Sequence, residues 1–407
     1  MVNNKNYKQT EIGRIPKDWE VVELDEVVDI NKESRDPTKE FPLENFLYID
    51  IDSIENETGV IKRAKTIVGK DAPSRARRVI HYNDVLMSTV RPYLKAFAIV
   101  PKEYDDQICS TGFAVLSSKG KILPSYLLYI LFSRFVISQC NKMMVGAQYP
   151  ALNISQVKRL KLPLPPLSEQ KKIAEILSTV DETIEKVDEA IAKTERLKKG
   201  LMQNLLTNGI GHKEFKDTEL GLIPEEWRVV RLVEIVDIFD KKRIPLSEIE
   251  RSKMKGKFPY CGANGIIDYI NDFIFDGKFL LLAEDGGNFK AFGQKAYLMF
   301  GKFWANNHVH VLKALSSLCS EEFLLYMLNF MDLKSWVVGS TRKKLNQGDM
   351  KKIPIPLPPL PEQKKIAEIL STVDKRLELL KNKKEKLKRI KKGLMNDLLT
   401  GKMRVKV

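Results

Sequence analysis

Residues 163–207 read PLPPLSEQKKIAEILSTVDETIEKVDEAIAKTERLKKGLMQNLLT, and residues 356–400 read PLPPLPEQKKIAEILSTVDKRLELLKNKKEKLKRIKKGLMNDLLT. The offset is 193 throughout (356 − 163), and the run from Glu169 to Asp181 is identical to the run from Glu362 to Asp374. Self-similarity at a fixed offset constrains the architecture before any single residue is interpreted. Each copy opens on prolines that cannot continue a helix. Ser168 and Pro361 stand where a helix would start, and Glu169 and Glu362 place negative charge in its first turn, which the helix dipole favours. Roughly 40 residues follow without another proline, which at ~1.5 Å rise per residue makes a rod roughly 60 Å long.

In the first rod Ile173, Leu177, Val180, Ile184, Val187 and Ile191 recur at steps of 4 and 3. The mean of about 3.5 is the coiled-coil period. Ile366, Leu370, Val373, Leu377 and Leu380 follow the same seam in the second rod. Lys384 interrupts it, and Leu387, Ile390, Leu394 and Leu398 resume an apolar stripe. From Glu169 to Lys199 there are 8 acids and 7 bases, net −1; from Glu362 to Lys392 there are 5 acids and 12 bases, net +7. The middle of the first rod (Glu185, Asp188, Glu189) is acidic and that of the second (Lys381, Lys383, Lys384) is basic. Antiparallel pairing would bring these middles together, and the apolar stripe must be buried somewhere.

The chain has 407 residues with 43% apolar content, enough for two or three domains with their own cores. A net charge of +15 points to an anionic partner, nucleic acid first. A Lys-rich surface kept for solubility is the alternative that charge alone leaves open. No apolar run reaches the ~18 residues of a membrane span. The opening MVNNKNYKQTEIG lacks the apolar core of a signal peptide. Cys109, Cys140, Cys261 and Cys319 are scattered without a CxxC and read as buried thiols in a reducing compartment. A cytoplasmic location is expected.

A second repeat opens each half: residues 10–24 are TEIGRIPKDWEVVEL and residues 218–232 are TELGLIPEEWRVVRL, at an offset of 208. The order is therefore short motif, variable region, rod, twice over. The polar, Gly-containing linker NGIGHKEFKD (208–217) joins the halves. Trp19 and Trp227 occupy matching places, as core anchors or as platforms for base stacking. In the first variable region, residues 85–90 and 96–100 read as strands and 125–140 as one helix. In the second, 279–284, 296–300 and 309–312 read as strands and 321–331 as a helix, with LLYIL in the first region matching LLYML in the second. The fold class is mixed α/β.

Catalytic signatures are missing from this sequence. It holds no NPPY or DPPY for amino-methyl transfer and no GxGxxG or GxxxxGK[ST] loop. His308 and His310, two apart on one face of a strand, lack companion ligands at metal spacing. No metal and no cofactor is expected.

The tandem IPxxW openings, the PLPPLxEQKKIAEILSTVD entries and the KKGLMxxLLT helix ends resemble the specificity subunit of type I restriction–modification systems. These blocks cover about 120 residues. The resemblance implies two mixed α/β target-recognition domains, 1–162 and 208–355. It also implies two long spacer helices, 163–207 and 356–407 with the C-terminal tail, packed as an antiparallel coiled coil in pseudo-two-fold symmetry. Each domain would read one half of a bipartite double-stranded DNA site. Methylation and cleavage would belong to partners: two modification (methyltransferase) subunits and, in the full enzyme, restriction (motor/nuclease) subunits.

Contacts to phosphate need Lys, Arg or polar side chains on loops, and base reading needs Arg, Lys, Asn, Gln or an apolar contact. Arg75, Arg77 and Arg78 cluster in SRARR, and Arg91 and Lys95 flank the turn RPYLK. Gly146–Asn153 (GAQYPALN) and Gly339–Asn346 (GSTRKKLN) align at the 193 offset with shared ends and different middles. A fixed frame with variable polar contents suits a reading loop. Gln148 and Tyr149, against Arg342, Lys343 and Lys344, are therefore candidates, with Lys290, Asn306 and Asn307 in the second region. Asn153 and Asn346 either cap the loop or join the contacts. Leu201, Met202, Leu205, Leu394, Met395 and Leu398 at the rod ends either close the seam or dock the modification subunits. The runner-up function is a coiled-coil scaffold that binds nucleic acid without sequence preference, for which charge would suffice.

Overall fold

A computed structural model describes residues 6–146, 150–339 and 343–405. It forms two units: Met1–Asp188 with Lys383–Val407, and Glu189–Asn382. The division runs through the middle of both long helices, Leu167–Leu205 and Leu360–Leu398. Each unit therefore contains the start of one helix and the end of the other.

The two units repeat one frame. A hairpin opens each, Tyr7–Thr10 with Gly13–Pro16 and Phe215–Thr218 with Gly221–Pro224. The next strand pairs antiparallel with the strand that leads into the long helix: Glu20–Glu23 with Lys161–Leu164, and Arg228–Arg231 with Pro354–Leu357. The first Pro-Leu of each rod entry thus ends an edge strand, where proline's missing N–H is tolerated. In the second unit a six-stranded sheet runs in the order 236–238, 309–314, 275–283, 296–305, 255–262, 265–270. The first unit splits the corresponding strands into two four-stranded sheets. The split has a local cause. Where the second unit has one ten-residue strand, Ala296–Ala305, the first has Phe97–Ile99, then Pro101, a 3-10 turn at Lys102–Tyr104 and left-handed Asp106, before Gln107–Ser110 resumes.

The expected single helix at 125–140 is two helices, Pro124–Phe132 and Arg134–Met143. Ser133 between them is extended, and its hydroxyl accepts from Val136 N. A serine that caps a new helix ends the old one. The helix Glu321–Phe330 is the second unit's counterpart.

Six positions of the identical 13-residue run have matching structural roles in the two copies. Glu169 accepts from the Trp19 indole N–H at 2.9 Å, and Glu362 from Trp227 at 3.0 Å. Both tryptophans are fully buried, so the core-anchor role is the one observed. Gln170 accepts from Leu123 N and donates to Lys121 O and Pro165 O; Gln363 does the same with Ser320 N, Leu318 O and Pro358 O. These bonds fasten the start of each long helix beneath the domain helix. Ile173, Ala174 and Leu177 enter the first unit's core with Tyr126, Leu127 and Leu131. Ile366, Ala367 and Leu370 enter the second's. Asp181 accepts from the Tyr129 hydroxyl and Asp374 from Tyr326.

The same aspartates meet the opposite helix. In the first unit Lys391 pairs with Asp181 at 2.6 Å and Lys384 with Asp188 at 2.5 Å. In the second, Lys198 pairs with Asp374 at 2.5 Å and Lys381 with Glu195 at 3.3 Å. As one helix number rises the other falls, so the helix segments run antiparallel within each unit, and the basic middle meets the acidic one. Lys384 leaves the apolar seam in order to reach Asp188. Ile390 is 52% exposed and lies outside the seam, unlike its expected place in a continuous stripe.

Each core is closed by the far end of the other helix. Leu398 and Leu399 sit with Trp19 in the first unit, and Met202, Leu205 and Leu206 with Trp227 in the second. Each such leucine contributes about 1.5–3 kcal/mol by burial. After the second helix, Arg404 donates to Glu169 and to Asp18 at 2.7–2.9 Å. After the first, His212 Nε2 lies 2.9 Å from Glu362, which also accepts from Ile210 N.

Glu169→Ala removes the acceptor shared by Trp19 and Arg404 and leaves the indole N–H buried without a partner. The expected loss is about 2–4 kcal/mol of first-unit stability, read by urea unfolding. Lys172→Ala, on an exposed helix face, is the control and should cost less than about 0.5 kcal/mol.

Candidate nucleic-acid interface

Four segments lie side by side in the first unit: Arg75, 111–112, 89–91 and 150–152. Thr111 N donates to Arg75 O at 2.8 Å, Thr89 N to Gly112 O at 2.8 Å, and Leu152 N to Thr89 O at 2.9 Å. Val90 and Ala151 form an isolated bridge, and Arg91 N donates to Pro150 O at 2.8 Å. The structure thus brings Arg75 and Arg91 to the two edges of the 145–152 loop's neighbourhood. The second unit repeats three of these five contacts. Glu284 N donates to His308 O at 2.9 Å, Leu345 N to Glu284 O at 2.7 Å, and Asp285 bridges Lys344. Each loop closes on itself in the same way, Val145 with Ala151 and Val338 with Lys344.

The correspondence makes the connection 89–96, which contains Arg91 and Lys95, the counterpart of 284–295, which contains Lys290. It likewise pairs residues 110–112 with 306–308. Arg91 and Lys95 both take left-handed backbone, φ 47° and 56°, on either side of the 3-10 turn Pro92–Leu94. For residues with a Cβ that conformation is strained, and such strain gathers at functional surfaces. The turn displays Tyr93 and Leu94 to solvent.

The candidate residues separate by their surroundings. Arg75 is exposed. Arg78 is half-buried and donates to Asn31 Oδ1 at 2.9 Å, and burial draws its pKa down. Arg77 donates to Ala76 O and lies 3.4 Å from Asp36. These two brace the sheet, which their sequence neighbourhood did not reveal. Lys95 pairs with Glu57 at 2.9 Å. Lys290, Lys343 and Asn307 are exposed. Asn306 is 4% exposed and its side chain accepts from His308 N at 2.9 Å. It shapes the turn from inside, so the expected surface contact there is left to Asn307. Gln148, Tyr149 and Arg342 lie outside the described residues. Asn153 caps the helix Ile154–Lys158, whereas Asn346 makes no such side-chain bond.

Met202, Leu205 and Leu398 are buried in their units' cores, and Leu201, Leu394 and Met395 are partly buried against them. A partner could reach only the exposed remainder of these helix ends. All four cysteines are buried and free. Burial raises every thiol, Cys140, Cys261 and Cys319 to about 12, which leaves them inert as nucleophiles at neutral pH.

The second unit's loop rests on a buried polar network that sequence reading missed. His310, fully buried, places Nε2 2.8 Å from Leu345 O and Nδ1 2.6 Å from Asp240. Asp240 also accepts from Gln347 Nε2 and Val311 N. Glu284 takes Arg243 at 2.6 Å and Lys344 at 2.8 Å. Three parts of the chain, 240–243, 284–285 and 308–310, thus hold the loop from below. At the far end of the connection, Lys295 donates to Gly293 O, Leu328 O, Asn329 O and Met331 O at 3.0–3.1 Å. It occupies the carbonyl end of the domain helix, and burial lowers its pKa to about 8. The spacing of His308 and His310 gives no hint of these partners, which are far away in sequence. No helix among the described residues is long and apolar enough to cross a membrane.

A frame repeated twice with different side chains mounted on it is the architecture of a tandem recognition protein. Residues 16–195 and 224–389 match the family described as Type I restriction modification DNA specificity domain. The putative type I restriction enzyme MjaX specificity subunit of Methanocaldococcus jannaschii is 30% identical over 416 residues, covering 99% of this chain and 97% of the relative. The MjaVIII specificity subunit of the same organism is also 30% identical, over 99% of this chain and 97% of its own length. Among solved structures, a chain from work on complex assembly and conformational transition of the type I R-M system matches with a TM-score of 0.62 at 27% identity, covering 96% of this chain and 99% of that one. The chain belongs to the family of type I restriction–modification specificity subunits.

Burial works against the charges of Asp240 and Glu284, yet bonds from His310 to the one and from Lys344 and Arg243 to the other hold both carboxyls below their usual range. A depressed carboxylate contributes stability that is complete above the unfolded pKa and is lost as pH falls through the folded one. The second unit should therefore weaken on acidification below the ordinary carboxylate range. Asp240→Asn should flatten that dependence in urea unfolding followed across pH.

Proposed function

We propose that this chain selects a bipartite DNA target, each unit reading one half, and performs no chemistry of its own. The long helices (163–207 and 356–407 with the tail) hold the recognition domains (1–162 and 208–355) apart and so set the unread gap between half-sites, as dimer geometry does in symmetric DNA-binding proteins. Modification subunits would methylate the selected site and restriction subunits would cleave unmodified DNA, in the cytoplasm. Exposed parts of the helix ends around Leu201, Leu394 and Met395 are the proposed docking places.

The observation that carries this reading is the bond-for-bond repetition of the loop frame with different contents: Thr89, Gly112 and Leu152 against Glu284, His308 and Leu345. A frame kept while its side chains change suits one task on two sequences. Within it, Arg75, Arg91 and Lys290 suit phosphate, while Asn307, Lys343 and the loop centres with Gln148, Tyr149 and Arg342 suit base edges.

Methylome sequencing of cells carrying the chain with its modification subunit tests the reading. A methylated motif with two defined halves around a fixed gap is expected. Absence of any motif dependent on the chain, with binding to random duplex in low salt, would favour the scaffold. Lys290→Ala should weaken binding to all duplexes alike and lower the salt slope by about 1. Arg342→Ala should cost about 1–3 kcal/mol at one half-site only.

A further inference from the structure

The segment that follows strand Asn45–Ile49 borders the first unit's interface frame. Ile51, Asp52 and Asn56 form one wall of a cleft of about 280 Å³, and Val90 and Leu94, from the connection that carries Arg91, form another. Residues 50–57 contain four acids. Three have lysine partners: Asp50 with Lys65, Glu55 with Lys62, and Glu57 with Lys95. Asp52 is exposed, and among the described residues its side chain makes no hydrogen bond or ion pair, although its charge acts at longer range on Lys65. It is not needed as a helix cap either, because Asp50 already accepts from Ser53 N at the 3-10 turn.

The second unit places a different polar residue at the same point. Parallel pairing sets Ile49 beside Cys109 and Cys261 beside Ala305. Three residues beyond Ile49 and Cys261 stand Asp52 and Asn264. Asn264 is exposed, and its amide lies 3.2 Å from Gly286 O in the connection that carries Lys290. The position is thus polar, exposed and beside the frame in both units, with a side chain that differs between them.

We infer that Asp52 is a base-reading residue of the first unit and accepts a hydrogen bond from the exocyclic amino group of a cytosine. This rests on the proposed function. A carboxylate only accepts, and among the four bases cytosine alone presents only a donor in the major groove. Adenine sets an acceptor beside its amino group, and guanine and thymine present acceptors there. Near a phosphate the same carboxylate repels, so any favourable contact it makes with DNA is to a base. Ile51, Val90 and Leu94 line the same cleft and set apolar surface near it.

The test uses the full chain assembled with its modification subunit, as wild type, Asp52→Ala and Asp52→Asn. Methylomes are compared, and binding is measured on duplexes with each base at each position of both half-sites. The wild-type motif should contain a cytosine at one position where both variants lose discrimination roughly 5- to 100-fold. All other positions should be unchanged. Asp52 is not a reader if the variants keep the wild-type motif, if no cytosine position responds, or if binding to every duplex rises equally, as removal of a repelling charge would cause. A wild-type chain that yields no bipartite motif would instead overturn the proposed function.

Discussion

Each unit depends on a glutamate carboxylate at the first turn of a long helix, buried at Glu169 and partly buried at Glu362. Glu169 and Glu362 are each reached by a tryptophan indole from the domain opening and by the segment that follows the other long helix: Arg404 in one case, Ile210 and His212 in the other. A buried acceptor that lost these donors would bear the full desolvation cost, so the three chain segments must meet. The glutamine that follows supplies three more bonds to backbone. The start of the identical run is thereby accounted for as one joint made twice. The joint, and not the coiled-coil seam alone, ties helix to domain.

This constraint explains why the surfaces are free to differ. The loops that carry Arg91 and Lys95, or Lys290, hang between strands whose pairing is the same in both units. Their contents do not bear on the joint. The first unit supports its loop with Thr89 bonded to Gly112, whereas the second places a buried His310–Asp240 pair beneath Leu345. One frame thus tolerates different supports.

The repeat, the helices and the charge complementarity were legible because they are periodic: a 3.5-residue step and opposite charges at matched positions state their own partners. The break at Ser133 was not legible, since an apolar run reads as one helix until a cap is seen to engage. Among candidate contacts, Arg75 and Lys290 stayed on the surface. Arg78 turned inward to Asn31 and Asn306 to its own turn. Basic or polar type alone does not reveal whether a side chain's partner is DNA or a residue 47 positions away.

By itself, the sequence determined the tandem organisation, the two rods and their antiparallel charge match, because helical periodicity is local and the copies could be compared with each other. Only the tertiary structure decided which of the candidate residues lie near one another. Asp52, Val90, Arg91 and residues 150–152 come together through strand pairing between segments far apart in the chain, and no local pattern encodes that register. The structure alone also showed that the helix ends seal the cores, because burial is a property of the packed chain and an exposed stripe and a buried one read alike in sequence.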